Sequence, residues 1–229
     1  MSARKNTRSK PAENPPAAAE EKPKSIWSLR GMEDVYFQRE AQVNFWTVMG
    51  GLQIAVLLTQ TGVLWGQLQA GRWYLFLYLL TSLLIIALMW ASTAWGSLIL
   101  KWTVNLPTIM TGFFGNFAMA LTCLLVANPA GWFLGLAFAA LGNWLHQFLF
   151  YRMGAWESFS ADMIKPLKTN LWVYGLWPLI CLAGACHLFL APSAIAEGVW
   201  GAIILAVVIN ALFRQHQGME RERKELGIP

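Results

Sequence analysis

Between residues 43 and 213 the chain is a succession of apolar runs separated by polar loops. About 20 apolar residues are what an α-helix needs to cross some 30 Å of hydrocarbon. Six runs meet that length: residues 43–66, 73–100, 107–127, 130–151, 170–191 and 194–213. The reading is therefore an all-α, polytopic membrane protein with six transmembrane helices. The second run is the longest, and at about 1.5 Å per residue it is expected to tilt or protrude. The sixth is the weakest, because Glu197 lies in its first turn.

Composition agrees. Hydrophobic residues make up 56% of the 229 and charged residues 13%, where a soluble domain carries about a quarter charged. The mean hydropathy is +0.44. A disordered chain and a disulfide-stapled secreted module are excluded. The net charge of +5 raises nucleic acid as a partner, but the basic residues form no patch interleaved with aromatics, and that partner is rejected. The expected surroundings are the lipid bilayer and other membrane subunits or further copies of the chain. Cys123, Cys181 and Cys186 all fall inside apolar runs and read as small buried hydrophobes. With no C-x-x-C, neither a metal nor a redox site is indicated, and no cofactor is expected.

Loop charges set the orientation. Lysine and arginine number eight in residues 1–42, one at Lys101, three in the 152–168 loop and four beyond residue 213; Arg72 alone falls on the opposite side. Cytoplasmic loops carry the excess, so both termini are expected in the cytoplasm and the chain in a cell inner membrane. No short apolar core with a small-residue cleavage site stands near the start, so the first run itself is expected to direct insertion.

Outside the spans, residues 1–24 are rich in proline and mixed charge and read as a disordered polar tail. Residues 25–42 alternate Ile26, Trp27, Leu29, Val35, Tyr36 and Phe37 with charges, the pattern of an amphipathic interfacial helix. A second, short surface helix is expected between spans four and five, with Trp156, Phe159 and Met163 on one stripe, Glu157 and Asp162 in water, and Pro166 ending it. The transmembrane domain covers 43–214, and 215–229 is a charged cytoplasmic tail.

Small residues mark close helix contacts in lipid, and polar ones bond across them. In span one, Asn44, Thr47, Gly51, Ala55, Gly62 and Gly66 share a side, and Gln53 and Gln60 share the other. In span three, Thr108, Thr111, Gly112, Gly115, Met119 and Thr122 lie opposite Phe113, Phe114 and Phe117, with Asn116 flanking the small face. Span four carries Gly131, Gly135, Ala139, Gly142 and His146 on one face, and the turn Asn128-Pro129-Ala130-Gly131 makes spans three and four an antiparallel hairpin. Pro178 is expected to break span five. That tripeptide Asn128-Pro129-Ala130 is also found in aquaporins, but there it occurs twice on half-helices; the single copy here reads as coincidence.

Ionisable groups inside a membrane are the default pointers to function, and no Asp, Glu, Lys or Arg falls mid-span. That excludes a midplane carboxylate pump and a voltage sensor. His146 and His187 fall near opposite surfaces, too far apart to share a haem. No G-x-S-x-G, H-E-x-x-H, Walker A lysine or G-x-G-x-x-G occurs, so no catalytic residue is assigned. Two groups stay as candidates. Gln53, Gln60, Asn116, Asn143 and His146 form either a polar pathway or a set of helix contacts. Arg72, His187 and Glu197 fall together on the far side, where Glu197 pairs with His187 or with Arg72. Deep Trp90, Trp95, Trp144 and Trp177 fill the core or stack on a lipid, quinone or pigment. The first expectation is a non-catalytic integral subunit of a larger membrane assembly. The alternatives are a transporter or channel for a small neutral or apolar solute, and a lipid-modifying enzyme using His146, Glu157 and Asp162.

A topology reporter fused to either end should be active only in the cytoplasm; one fusion active outside the cell and the other inside rejects the even-span reading, and both active outside rejects the orientation.

Overall fold

The computed structural model describes residues 35–98, 106–152, 161–225 and 227, with side-chain surroundings defined for 43–96, 109–149 and 171–224. Among them the regular structure is seven α-helices and no strand: α1 Val35–Thr59, α2 Thr61–Gln69, α3 Leu75–Leu98, α4 Leu106–Leu124, α5 Pro129–Arg152, α6 Ala161–Leu190 and α7 Ala194–Glu225. Three stretches, Leu75–Gly96, Leu171–Leu190 and Ala194–Lys224, are long and apolar enough to cross a membrane, and α1 with α2 makes a fourth if the bent pair is one span. These apolar helices suggest a membrane protein.

Packing runs in the order α6, α5, α4, α1, α3, α7, with α6 meeting α7 over a short stretch. Enclosed between α4 and α6, α5 needs little lipid-facing bulk. It carries glycine and alanine, then Asn143, His146 and Gln147, and so does not register as an apolar span.

The α4–α5 contact depends on missing side chains. A Cβ on Gly142 would stand 2.6 Å from Gly115 Cα, and one on Gly135 2.7 Å from Thr122 Oγ1. The turn is built as its residues dictate. Asn128 caps α5, its side-chain oxygen accepting the Gly131 N–H at 3.2 Å, and Pro129 takes the first helical position, where its missing N–H costs nothing. The faces expected of span three also hold: Met119 and Thr122 are fully buried and Phe113, Phe114 and Phe117 exposed.

At one end of the bundle, Tyr78, Trp132 and Phe133 are fully buried and meet edge to face, with centroids 5.0 Å (Tyr78–Trp132) and 5.2 Å (Trp132–Phe133) apart. Such pairs add about 0.5–1.5 kcal/mol beyond area burial. Trp132 Nε1 donates to Ser82 Oγ at 2.9 Å, which satisfies the indole.

Along the α3–α7 seam, polar contacts bracket an apolar middle. Glu197 holds Arg72 at one end; at the other, Gln215 Nε2 donates to Ser92 Oγ at 2.7 Å and Trp95 Nε1 to Glu222 Oε2 at 2.6 Å. At about 1.5 Å per residue, Glu197 to Gln215 is about 27 Å, close to one hydrocarbon thickness.

Four expectations need correction. The first span is not one straight helix: it bends by 41° at Gln60, where Thr59 Oγ1 donates to Val56 O at 2.6 Å and Thr61 Oγ1 to Leu58 O at 2.8 Å. Hydroxyls that take ladder carbonyls bend helices. Pro178 does not interrupt α6, which runs from Ala161 to Leu190; a proline within a packed span loses one bond that the surrounding turns tolerate. Pro166 ends no helix either, because it falls in the second turn of α6, where the missing N–H frees a single first-turn carbonyl. Cys186 is exposed, whereas Cys123 and Cys181 are buried.

Helix α1 enters from Val35 and α7 continues to Glu225, past both expected span limits. Residues 1–34 and 153–160, with Trp156, Glu157 and Phe159, lie outside the described residues, as do the side chains of Asp162 and Met163.

Gly142→Ala should cost about 1–3 kcal/mol, read as a lower melting temperature of the detergent-solubilised chain. Gly62→Ala, where a Cβ meets nothing within 4 Å, should hold or raise it. Equal effects of the two would refute the close-crossing account.

Candidate functional site

The expected polar residues gather at two places. The first is the junction of α1, α4 and α5. Gln53 and Asn116 are 1% and 2% exposed. Gln53 Nε2 donates to Asn116 Oδ1 at 3.0 Å and to Asn116 O at 3.1 Å, and Asn116 Nδ2 donates to Gly112 O at 2.9 Å. Gly112 leaves room on the same side: a Cβ there would meet the Trp46 ring at 3.1 Å and His146 Nδ1 at 3.2 Å. His146 is buried, with the Trp46 ring edge-on at 6.2 Å. Asn143 is half-buried one turn before His146, where α5 crosses Gly115.

Gln60 does not join them. It stands at the α1–α2 bend, and its Nε2 donates to Thr59 Oγ1 at 3.2 Å. The seven-residue spacing that aligns it with Gln53 on a straight helix is lost at the bend. Neutral amides that bond one another fix helix register; they carry no charge and move no proton at neutral pH. The imidazole of His146 is the one group of the five that titrates.

The second place is the opposite end of the bundle. Gly71, at φ 87°, turns the chain between α2 and α3 and brings Arg72 inward. Its Nη2 donates to Glu197 Oε2 at 2.9 Å, Nη1 to Gln67 Oε1 at 3.0 Å and Nε to Tyr74 Oη at 2.6 Å. The bond to Tyr74, ahead of that to Glu197 and against the opposing effect of burial, raises the guanidinium pKa above its ordinary value. Glu197 lies in the first turn of α7, where the helix dipole favours a carboxylate, and its backbone oxygen accepts from Tyr78 Oη at 2.6 Å. Ser193 caps that helix, its Oγ accepting the Ala196 N–H at 3.1 Å.

Of the two pairings open to Glu197, the one with Arg72 is formed. His187 instead accepts at Nδ1 from Trp200 Nε1 at 2.9 Å, and the Trp200 ring packs on Phe133 at 5.5 Å. Trp132 and Trp200 are thus part of the end cluster, which residue counting from the span limits did not reveal. The usable signal is that a buried indole N–H needs an acceptor. Elsewhere, Trp144 Nε1 finds Leu171 O at 3.1 Å, and Trp90, which was expected to fill the core, is half exposed and its Nε1 finds Thr47 Oγ1 at 3.3 Å.

No cluster of three or more His, Cys, Asp or Glu that could hold a metal occurs among the described residues. No protein family, curated protein or solved structure matches this chain.

Gln53→Leu and Asn116→Leu should each destabilise by about 1 kcal/mol, the scale of interhelical bonds in membranes. The double variant should cost less than their sum, as read from unfolding in mixed micelles. Strict additivity would mean that the pair does not interact.

Proposed function

We propose that the chain is a non-catalytic integral subunit of a larger assembly in the cell inner membrane, crossing it six times with both termini in the cytoplasm. In this topology the bent pair α1–α2 is the first span and α3 to α7 are the other five. The charge bias of the loops supports the orientation. The spacing of polar contacts along α3 and α7 supports a full crossing by these two helices.

The observation that carries the subunit reading is Asn210. It is exposed on α7, facing away from α3, and Ala206 and Ala202 stand exposed one and two turns before it. By this topology that face lies in hydrocarbon, where a side-chain amide finds no partner in lipid and small residues invite a close neighbour. The first span also has open glycines: at Gly50 and Gly51 before the bend and at Gly62 and Gly66 after it an added Cβ would meet nothing within 4 Å. On both helices these small residues stand among exposed bulky ones, Val199, Ile203 and Phe213 on α7 and Val48, Leu58 and Val63 on the first span, so the outward amide carries the reading.

The transporter reading draws on the 41° bend, since discontinuous helices frame many transport sites. It is weakened by Gln53, whose amide is already spent on Asn116. The lipid-enzyme reading has less support, because His146 is buried against Trp46.

Purification in mild detergent followed by mass spectrometry should recover the chain with membrane partners or further copies of itself. Asn210→Leu should deplete them at least several-fold. If wild type and variant both run as a lone 25.6 kDa chain, the subunit reading fails.

A further inference from the structure

We propose that His187 and Trp200 form a proton-sensitive latch between α6 and α7. A histidine nitrogen that accepts a hydrogen bond carries a lone pair, so the 2.9 Å bond from Trp200 Nε1 to His187 Nδ1 requires the neutral imidazole, protonated at Nε2. Uptake of a second proton turns Nδ1 into a donor, and two donors cannot share the bond. His187 is exposed and lies in the last turn of α6.

The bond is placed where it matters. It ties the last turn of α6 to the second turn of α7, two helices that meet over only a short stretch. Through Trp200 it also reaches the buried aromatic cluster, because that ring lies edge-on to Phe133, which in turn fills the space left by Gly184 of α6. Release of the indole therefore loosens α7 from both α5 and α6.

A protonated His187 also has a place to go. Glu197 stands three residues before Trp200, on the same face of α7, and holds Arg72 at 2.9 Å. Among the described residues the charged groups of this end are Arg72 and Glu197. The further titratable ones are Tyr74 and Tyr78 from the α3 side and Cys186 on α6 itself; α5 contributes the uncharged Trp132 and Phe133. Glu197 is thus the carboxylate available to an imidazolium, in competition with Arg72. At higher pH the latch is Trp200–His187 beside Arg72–Glu197; on acidification His187 gives up the indole and draws on Glu197. That the acid comes from the non-cytoplasmic side rests on the six-span topology. The latch itself does not.

The test is carried out on the full chain in detergent micelles, where both ends meet the buffer, so a wrong topology leaves it unaffected. With 15N-tryptophan, the Trp200 indole resonance is identified by its loss in Trp200→Phe. It should move upfield, as a released N–H does, on acidification between about pH 8 and 5, the range in which histidine changes charge. It should move in step with the 15N resonances of the His187 ring. His187→Gln, an exposed site whose amide oxygen still accepts the indole, should abolish the movement. A Trp200 resonance that stays fixed over this range in the wild type, or that moves equally in His187→Gln, overturns the proposal. The wild-type titration of the two rings stands as a test even if a variant fails to fold.

Discussion

How closely α4 and α5 can lie is set by one glycine against another, Gly115 against Gly142, and the other helices are arranged around that contact. With the backbones this near, α5 becomes the inner helix, flanked by α4 on one side and α6 on the other. Lipid gives helices no hydrophobic reason to associate, so van der Waals packing and hydrogen bonds must hold them. Close approach delivers both. It brings the α4 backbone to α5 and leaves room at Gly112 for His146 and Trp46. It also sets Asn116 facing Gln53 of α1. A bulkier residue at either glycine would push α4 outward and break the amide pair with it.

The same logic explains why the sequence was easy to read in some places and opaque in others. Apolar length is legible because the hydrocarbon demands it, and the faces of α4 are legible because Phe113, Phe114 and Phe117 fall at helical spacing opposite the small residues. The Asn128-Pro129 turn is local chemistry and could be read residue by residue. The grouping of Arg72, His187 and Glu197 was legible because Arg72 is the only cation expected on its side, but which of the two bases Glu197 takes was left open and is decided by the fold.

What could not be read depends on competition between neighbours. The bend at Gln60 arises from two threonine hydroxyls taking carbonyls of the same turn, and neither hydroxyl alone announces it. Prolines at positions 166 and 178 look like breaks, yet the helix runs through both, because the cost of one lost bond is set by the surrounding packing. Trp132 sits at the edge of its apolar run, which suggests an interface, but the α4–α5 crossing carries it inward to Tyr78 and Ser82.

The two polar clusters divide the labour between specificity and sensitivity. Near His146, neutral amides lock register. At the opposite end the groups are charged, partly exposed and tied to the turn between α6 and α7, so that end answers to its surroundings. The histidines lie in separate clusters on helices that reach them from opposite directions. The buried amides of Gln53 and Asn116 are matched within the chain, in contrast to Asn210, which faces outward beside two alanines. On that contrast, between amides that bond each other inside the bundle and one that points outward, the proposed subunit role rests.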